Sequence, residues 1–556
     1  MGYTAVAVGW RGASYNWLET MNRREFLSGS LVTAAALLPP RARAGSLFEA
    51  APENSAISFT TSDAHYQSRY QSALDTLAAN TVELNGVPGP NPSPVLIEGS
   101  EYRGIWLECA PHEGLVYSHI RRDIARNNHM AFFKLQREDG QMPANMRSGS
   151  VGLAQIQMVV PIAATAWELA QQTRDEELLA TAYEACSRWD AWLRKYRDTR
   201  RTGLCEGFCT WDTGHDNSPR WAGMPNACPD HDARKCPPVA GLPRLCPDLS
   251  ATVYGGRVAL ARMARELGKG SEASRWQDDA ESIRRLIVGR LYDADDACFY
   301  DLDAENRFVR VRGDLITRVL GEHVVDQRLF DLIYERQIHN PKSFWAPYPL
   351  PSIALDDPAF VRPIPRNSWG GASQALTALR APRWMEHYGK PADLAHLMQQ
   401  WVAALLRATE FRQQMDPLTG EFTDGAPGYS PAALVLIDFT WRLAGVRRLD
   451  ADSLEWNIRP GFAGNDAVFR LRVSPTLMAE IRYGPTGAEL RLNSRLIHRV
   501  SGTVRLVTRL DGELMSAIGM EEKPSTAVLQ PAHGKERRFA VEPNQRQTAL
   551  KASLRG

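Results

Sequence analysis

From about residue 62 to residue 446 the apolar residues recur mostly at helical spacing. In 177–196, for example, Leu178, Ala182, Cys186, Trp189, Leu193 and Tyr196 line one stripe, and Glu, Arg and Lys fill the other faces. Similar stripes run through 118–136, 151–171, 251–267, 272–291, 315–337, 371–389, 392–412 and 431–444. The pattern predicts ten or so helices with few strands between them. Their connections are long and hold Gly, Pro, Trp and Asp, unlike the short links of a simple bundle, so the chemistry is expected on the loops.

After Arg448 the period changes. Segments 467–473, 478–483, 488–492 and 503–508 alternate apolar and polar residues, with Gly-Pro or Asp-Gly turns as punctuation. This predicts a small β-sandwich-like domain over 449–530 behind a mainly α domain over 45–448. The residues from 531 to 556 are polar and are expected to form a loosely ordered tail.

Composition adds exclusions. Lys+Arg number 65 against 64 Asp+Glu, and no basic cluster stands out. A nucleic-acid partner is therefore not expected. With 44% hydrophobic and 23% charged residues, the chain is neither disordered nor a multi-span membrane protein by composition. No cofactor and no metal is called for.

The N-terminal 44 residues are read as an address. Met21 is followed by Asn-Arg-Arg-Glu-Phe-Leu, an apolar stretch over 27–38 too short to span a bilayer, and Ala42-Arg43-Ala44 as a small-residue cleavage site. Arg23 and Arg24 ahead of Glu-Phe-Leu resemble the twin-arginine export signal. A mature chain beginning near Gly45, translocated by that system and periplasmic or secreted, is expected. Export makes disulfides possible, and Cys205, Cys209, Cys228, Cys236 and Cys246 crowd a Pro-rich segment. One or two disulfides are favoured over a zinc site from Cys228, His231, Cys236 and Cys246, whose spacing fits no common pairing.

The most informative segment is Cys209-Thr-Trp-Asp-Thr-Gly-His-Asp-Asn-Ser-Pro-Arg-Trp221. It places Asp212 and Asp216 four apart among Trp211, His215, Arg220 and Trp221. Tryptophan faces stack on sugar rings, and a carboxyl against an apolar wall gains a raised pKa suited to an acid. The same composition also suits a structured loop capped by Asp and Asn. Two further segments share the theme: Met415-Asp-Pro-Leu-Thr-Gly-Glu421, a tight turn, and Arg366-Asn-Ser-Trp-Gly-Gly371, whose glycines let a ligand approach the backbone.

Together these segments resemble glycoside hydrolase family 63 and the mannosylglycerate hydrolases, and more distantly the trehalases. The Asp216 segment is similar to the family's acid-bearing loop, and Phe411-Arg-Gln-Gln-Met-Asp-Pro-Leu-Thr-Gly420 to its base-bearing loop. Arg366-Asn-Ser-Trp369-Gly-Gly resembles its Trp-Arg-Gly segment. Tyr102-Arg-Gly-Ile-Trp106-Leu-Glu108, then Gln136-Arg-Glu-Asp-Gly-Gln-Met-Pro143, stand where the family has an aromatic-acidic loop and a Gln-x-x-Asp-Gly-x-x-Pro turn. The resemblance implies an (α/α)6 toroid of six helix hairpins and hydrolysis of a glycosidic bond with inversion. One carboxylic acid protonates the leaving oxygen, and a carboxylate about 6.5–9.5 Å away activates water. Asp216 matches the acid.

The base position departs from the pattern, because Gln413 stands where the family has Glu, and an amide accepts no proton at neutral pH. Glu108, Glu410 or Glu421 can serve instead, or one carboxyl can act as both acid and base, or the barrel binds a saccharide without cleaving it. A lyase on the same fold would use Tyr254, His215, Asn217 and Arg220. Trp106, Trp211 and Trp369 are candidates for sugar stacking or core packing. Asp212 is a candidate for a supporting or ligand-binding role, and His215, Asn217, Arg220 and Arg412 are candidates for substrate binding, with Arg220 and Arg412 able instead to pair with Asp216 or to satisfy loop carbonyls.

Overall fold

The structure is a computed structural model that describes residues 55–548 except Pro88, Pro90 and Asn91. The export signal, its cleavage site and residues 549–556 lie outside the described residues. Twelve α-helices are present among those described: α1 Ala64–Ala79, α2 Ala110–Tyr117, α3 Arg122–Lys134, α4 Ile162–Thr173, α5 Glu176–Tyr196, α6 Pro247–Glu266, α7 Gly270–Leu291, α8 Leu315–Gly321, α9 Gln327–Ile333, α10 Ala375–Met385, α11 Pro391–Arg407 and α12 Ser430–Ala444. The even-numbered helices each pack on the next, and α12 packs on α2, so six helices close a ring. Odd-numbered helices lie against this ring: α3 on α2 and α4, α5 on α4 and α6, α7 on α6, α11 on α10 and α12.

Burial follows from that arrangement. An outer helix needs one apolar stripe, and α7 buries Ala273, Trp276, Ala280, Ile283, Ile287 and Leu291. An inner helix is covered on every side, and α12 buries almost all of its residues, including the run from Ala432 to Ile437. The 315–337 segment, read as one helix, is broken into α8 and α9. His323 takes a left-handed φ of 58° between them, and Asp326 restarts the helix by accepting from the Leu329 N–H.

The strand-rich part is larger than its sequence pattern. Seven strands form one sheet in the order Ile57–Thr60, Val468–Ser474, Leu477–Gly484, Gly487–Leu492, Arg495–Ser501, Ser525–Pro531 and Arg537–Val541. A second sheet of five runs Val446–Arg448, Ser453–Ile458, Val504–Arg509, Leu514–Gly519 and Arg546–Gln547. The segment expected to be a loose tail thus pairs in both sheets through residue 547. Its alternation was hidden by Arg537 and Arg538, consecutive strand residues that are both exposed. The first strand comes from the other end of the chain: Phe59 pairs with Phe469 in register and their rings pack at 4.7 Å.

The helical and strand-rich parts are joined by charge. Glu386 at the end of α10 lies 3.3 Å from Arg442 of α12, 3.5 Å from Arg447 and 3.4 Å from Arg505. Burial alone would raise its pKa, but Arg505, Arg447 and Arg442 together hold it at about 2. Among the described residues no helix is long and apolar enough to cross a membrane.

Glu386→Ala leaves three guanidiniums without their shared carboxylate and is expected to cost about 2–4 kcal/mol in chemical denaturation. Because the folded pKa is depressed, this contribution is present above the ordinary glutamate range and is lost as pH falls toward about 2. The gap between wild type and variant should therefore close in strong acid.

Candidate active site

The loop from α5 to α6 carries the segment around Asp216, and two buried arginines fold it. Arg197, at the end of α5, pairs with Asp212, both side chains being fully buried. The Asp212 carboxylate also accepts the N–H groups of Ile156 at 2.9 Å and Phe208 at 2.7 Å. Asp212 therefore organises the loop and is not placed to bind a ligand. Arg220 donates to both oxygens of Asp248 at 2.7 Å and to Asp301 at 2.8 and 2.6 Å. It pairs with neither Asp216 nor solvent, so the expectation of a substrate-binding Arg220 is corrected: two buried carboxylates claim its donors. His215 sits between Arg220 Nη1, 3.0 Å from Nδ1, and Asp314, 2.9 Å from Nε2. Arg220 can only donate, so Nδ1 accepts and Nε2 carries the hydrogen. Burial, with Arg318 nearby, lowers the His215 pKa to about 4 and keeps it neutral.

No disulfide forms in this loop, contrary to expectation: all eight cysteines are free. Cys209 and Cys228 lie 3.9 Å apart at Sγ, and the Arg197 and Arg220 ion pairs do the stapling. The four suggested zinc ligands do not converge, since His231 is exposed and Cys246 groups with Asp248 and Asp301. Those two carboxylates, like Asp212 beside Cys209 and Cys228, are already neutralised by arginine.

Asp216 follows on this frame. Its carbonyl accepts the Trp369 N–H at 2.9 Å, and the next residue, Asn217, donates from Nδ2 to the Asn367 carbonyl at 2.9 Å. The Arg366–Gly371 segment thus clamps the acid loop. Burial raises the Asp216 pKa to about 6, opposed by a hydrogen bond from Asn367. Asn367 Nδ2 also donates to the Tyr102 hydroxyl at 2.9 Å, which donates to Gln413 Oε1 at 3.2 Å. Asn367, the neighbour of the acid, is thus linked through Tyr102 to Gln413.

Glu108 lies two residues past the short strand Gly104–Trp106, just ahead of α2. It is buried, and its Oε2 has no hydrogen-bond partner. A Cβ on Gly214, which has a φ of 61°, would fall 1.5 Å from that oxygen. Only glycine lets the acid loop close over this carboxylate. Burial raises the Glu108 pKa to about 7, and Arg380 and Arg318 oppose the rise. Two more glutamates are gathered here that the motifs did not mark. Glu98 accepts from the Tyr429 hydroxyl at 2.6 Å, and Glu113, in the first turn of α2, has both carboxylate oxygens buried and unpartnered. Burial and the neighbouring Glu113 and Glu108 push Glu98 well up, and burial takes Glu113 to about 7. The available signal was a glutamate closing the apolar run Val95-Leu96-Ile97.

The remaining candidates separate. Glu421 is exposed beside the 416–420 turn. Glu410 pairs with Arg412 at 3.0 Å, and Arg412 also donates to the Asp424 carbonyl at 2.7 Å, so this arginine serves its loop. Trp106 and Trp369 belong to one small buried cluster with Cys109 and Leu376, while Trp211 is partly exposed. Tyr254, the base of the lyase reading, lies among Arg284, Glu281 and Glu322, whereas Asp216 has Asn367 and the carboxyl cluster around it.

Residues 102–432, more than half of the chain, match the family described as a mannosylglycerate hydrolase MGH1-like glycoside hydrolase domain. Among solved structures, the mannosylglycerate hydrolase of Thermus thermophilus in complex with Tris and D-glycerate is similar with a TM-score of 0.55. It is 19% identical over 67% of this chain and 100% of its own. The neutral trehalase of Saccharomyces cerevisiae has a TM-score of 0.51 at 14% identity, covering 63% of this chain and 74% of its own. At these identities the likeness is one of fold. No curated protein sequence matches.

Arg220→Ala strips Asp248 and Asp301 of their shared buried cation and is expected to destabilise the protein by about 3–5 kcal/mol. Equilibrium unfolding measures this, and a change below about 1 kcal/mol would return Arg220 to the ligand-binding candidates.

Proposed function

The chain belongs to the mannosylglycerate hydrolase MGH1-like glycoside hydrolase family, and from that premise we propose an exported enzyme that hydrolyses a glycosidic bond of an oligo- or polysaccharide with inversion, Asp216 being its general acid. The observation that carries the reading is the Asp216 carboxyl itself. It is desolvated to a pKa of about 6 and clamped between two loops by the Trp369 and Asn217 hydrogen bonds. A carboxyl so placed is protonated in mildly acidic solution and can give its proton to the leaving oxygen as the C1–O bond breaks. A base on the far face takes a proton from water while the water oxygen bonds to C1.

The surroundings fit a polyhydroxy ligand. Buried atoms without partners include acceptors, Glu108 Oε2 and Asn367 Oδ1, and donors, Arg318 Nη2 and Arg380 Nε. A sugar ring offers both donor and acceptor hydroxyls to such a set. The (α/α)6 reading is supported by the closed ring of six even-numbered helices with odd-numbered helices packed against it. Export rests on the paired arginines and the cleavage site of the N-terminal segment. A second reading, saccharide binding without turnover, is favoured by one observation: Gln413 at the family's base position.

A glycan panel separates the two. Turnover that falls by roughly 10²–10⁴-fold in Asp216→Asn supports hydrolysis, and equal activity in wild type and variant removes the role from Asp216. Since this acid works protonated and its pKa is raised only to about 6, activity is expected to fall in alkaline solution. Replacing Arg23 and Arg24 by lysine is expected to leave unprocessed precursor in the cytoplasm, as read by fractionation and blotting.

A further inference from the structure

We infer that Glu108 has taken over the base role that Gln413 cannot fill, so that the water attacking C1 is deprotonated from the α2 side of the pocket. The inference rests on the hydrolase reading above and concerns its second half-reaction.

Elimination points to Glu108 first. Gln413 is an amide, and its Oε1 already accepts from Tyr102. Glu421 is exposed on its turn, and Glu410 is held by Arg412. Asp212, Asp248 and Asp301 are consumed by Arg197 and Arg220. Glu101 is held by Arg366, Asp416 by Arg362, and Asp314 by Thr377 beside His215, which leaves Asp216, Glu98, Glu108 and Glu113. Asp216 is assigned to the leaving group.

The three glutamates differ in what faces them. An oxygen of Glu98, an oxygen of Glu108 and Cys109 Sγ all lie within 4.8 Å of one another, so Glu98 and Glu108 do not both ionise at ordinary pH. Around Glu98 are the Tyr429 hydroxyl, Tyr102, Cys109 and other acids, namely Glu113, Glu108 and Asp216. Glu113 lies deeper, 1% exposed, against Cys109 with Arg380 nearby. Glu108 is faced by two guanidiniums, Arg380 and Arg318, by Gln157, by the Asp216 carboxyl, and by Glu98 and Glu113. Arg380 is tied to the Glu108 backbone carbonyl at 3.0 Å, and Arg318 to the Thr213 carbonyl at 2.6 Å. The single negative charge of the pair therefore rests on Glu108. Its Oε2 is buried with no hydrogen-bond partner, and it lies against Gly214, two residues before Asp216.

The step balances. Glu108 takes one proton from water, the water oxygen bonds to C1, the C1–O bond to the leaving group breaks, and Asp216 supplies the proton that the leaving oxygen requires. Solvent exchanges both protons afterwards. Because the base works ionised with a pKa of about 7 and the acid works protonated with a pKa of about 6, the active protonation state is a minority one. The rate profile is then a narrow bell between those values.

The test uses the full chain and a glycoside that the wild type hydrolyses. Glu108→Gln is expected to lose roughly 10²–10⁴-fold in kcat and to lose the acid limb of the pH profile. Glu108→Ala is expected to regain turnover in sodium azide, releasing a glycosyl azide of inverted configuration, because an anionic nucleophile needs no base. That product also shows that the variant is folded. Gln413→Glu is expected to change kcat less than about threefold. Retained activity in Glu108→Gln, absence of the glycosyl azide, or a tenfold or larger gain in Gln413→Glu overturns the assignment while leaving the enzyme a hydrolase. Absence of turnover by the wild type on every glycoside overturns the hydrolase reading, and the assignment falls with it.

Discussion

The position of Asp216 depends on the buried guanidinium of Arg220. That one group fastens the acid loop to the first turn of α6 through Asp248 and to the strand Asp301–Leu302 through Asp301. It also fixes His215 by its Nδ1, and through His215 the Asp314 end of α8. Four donors meeting two carboxylates at 2.6 to 2.8 Å leave little freedom. A fully buried ion cluster of this kind gives little net stability against an apolar replacement, but removing its guanidinium leaves Asp248 with only the more distant Arg318, at 3.5 Å, and takes from Asp301 the cation that pairs it. It therefore specifies loop geometry more than it stabilises the fold.

The ring of inner helices brings the rest of the site to the same end. Each of α2, α6, α10 and α12 is entered from a segment that carries site residues: Glu108 before α2, the Asp216 loop before α6, Trp369 before α10, and Gln413 before α12. These helices consequently point their N-termini toward one mouth of the ring. Partial positive charge there favours carboxylates over amines. Even so, Glu98, Glu108, Glu113 and Asp216 have only Arg318 and Arg380 as near cations, and Arg318 is shared with Asp248 and Asp314. Protons make up the difference, which is why three carboxyls here sit near pH 6 to 7.

Legibility in the sequence followed how local each signal was. The helices were visible because an outer helix writes its stripe every 3.6 residues, as α5 does with Leu178, Ala182, Cys186, Trp189 and Leu193. The Asp216 loop was visible because its aromatic, acidic and small residues are contiguous. Ile57–Thr60 was missed because four residues carry no period and their partner lies over 400 positions away. Arg220 was harder to read for a related reason: composition shows which groups are charged, and only the fold shows that Asp248 and Asp301 claim its donors first. Glu98 was passed over because a single acid at the end of an apolar run looks like a strand terminus until Tyr429, 331 residues on, is seen donating to it.

Gln413 belongs to the same electrostatic argument. A glutamate there would be a fifth carboxyl beside four that already repel one another, with the Tyr102 hydroxyl as its nearest donor. As an amide it adds no charge, accepts from Tyr102 through Oε1 and keeps Nε2 free to donate. A site that has accepted neutrality at one wall needs a carboxylate at another if it is to activate water, and it is on the α2 wall that two guanidiniums hold a carboxylate poised to ionise.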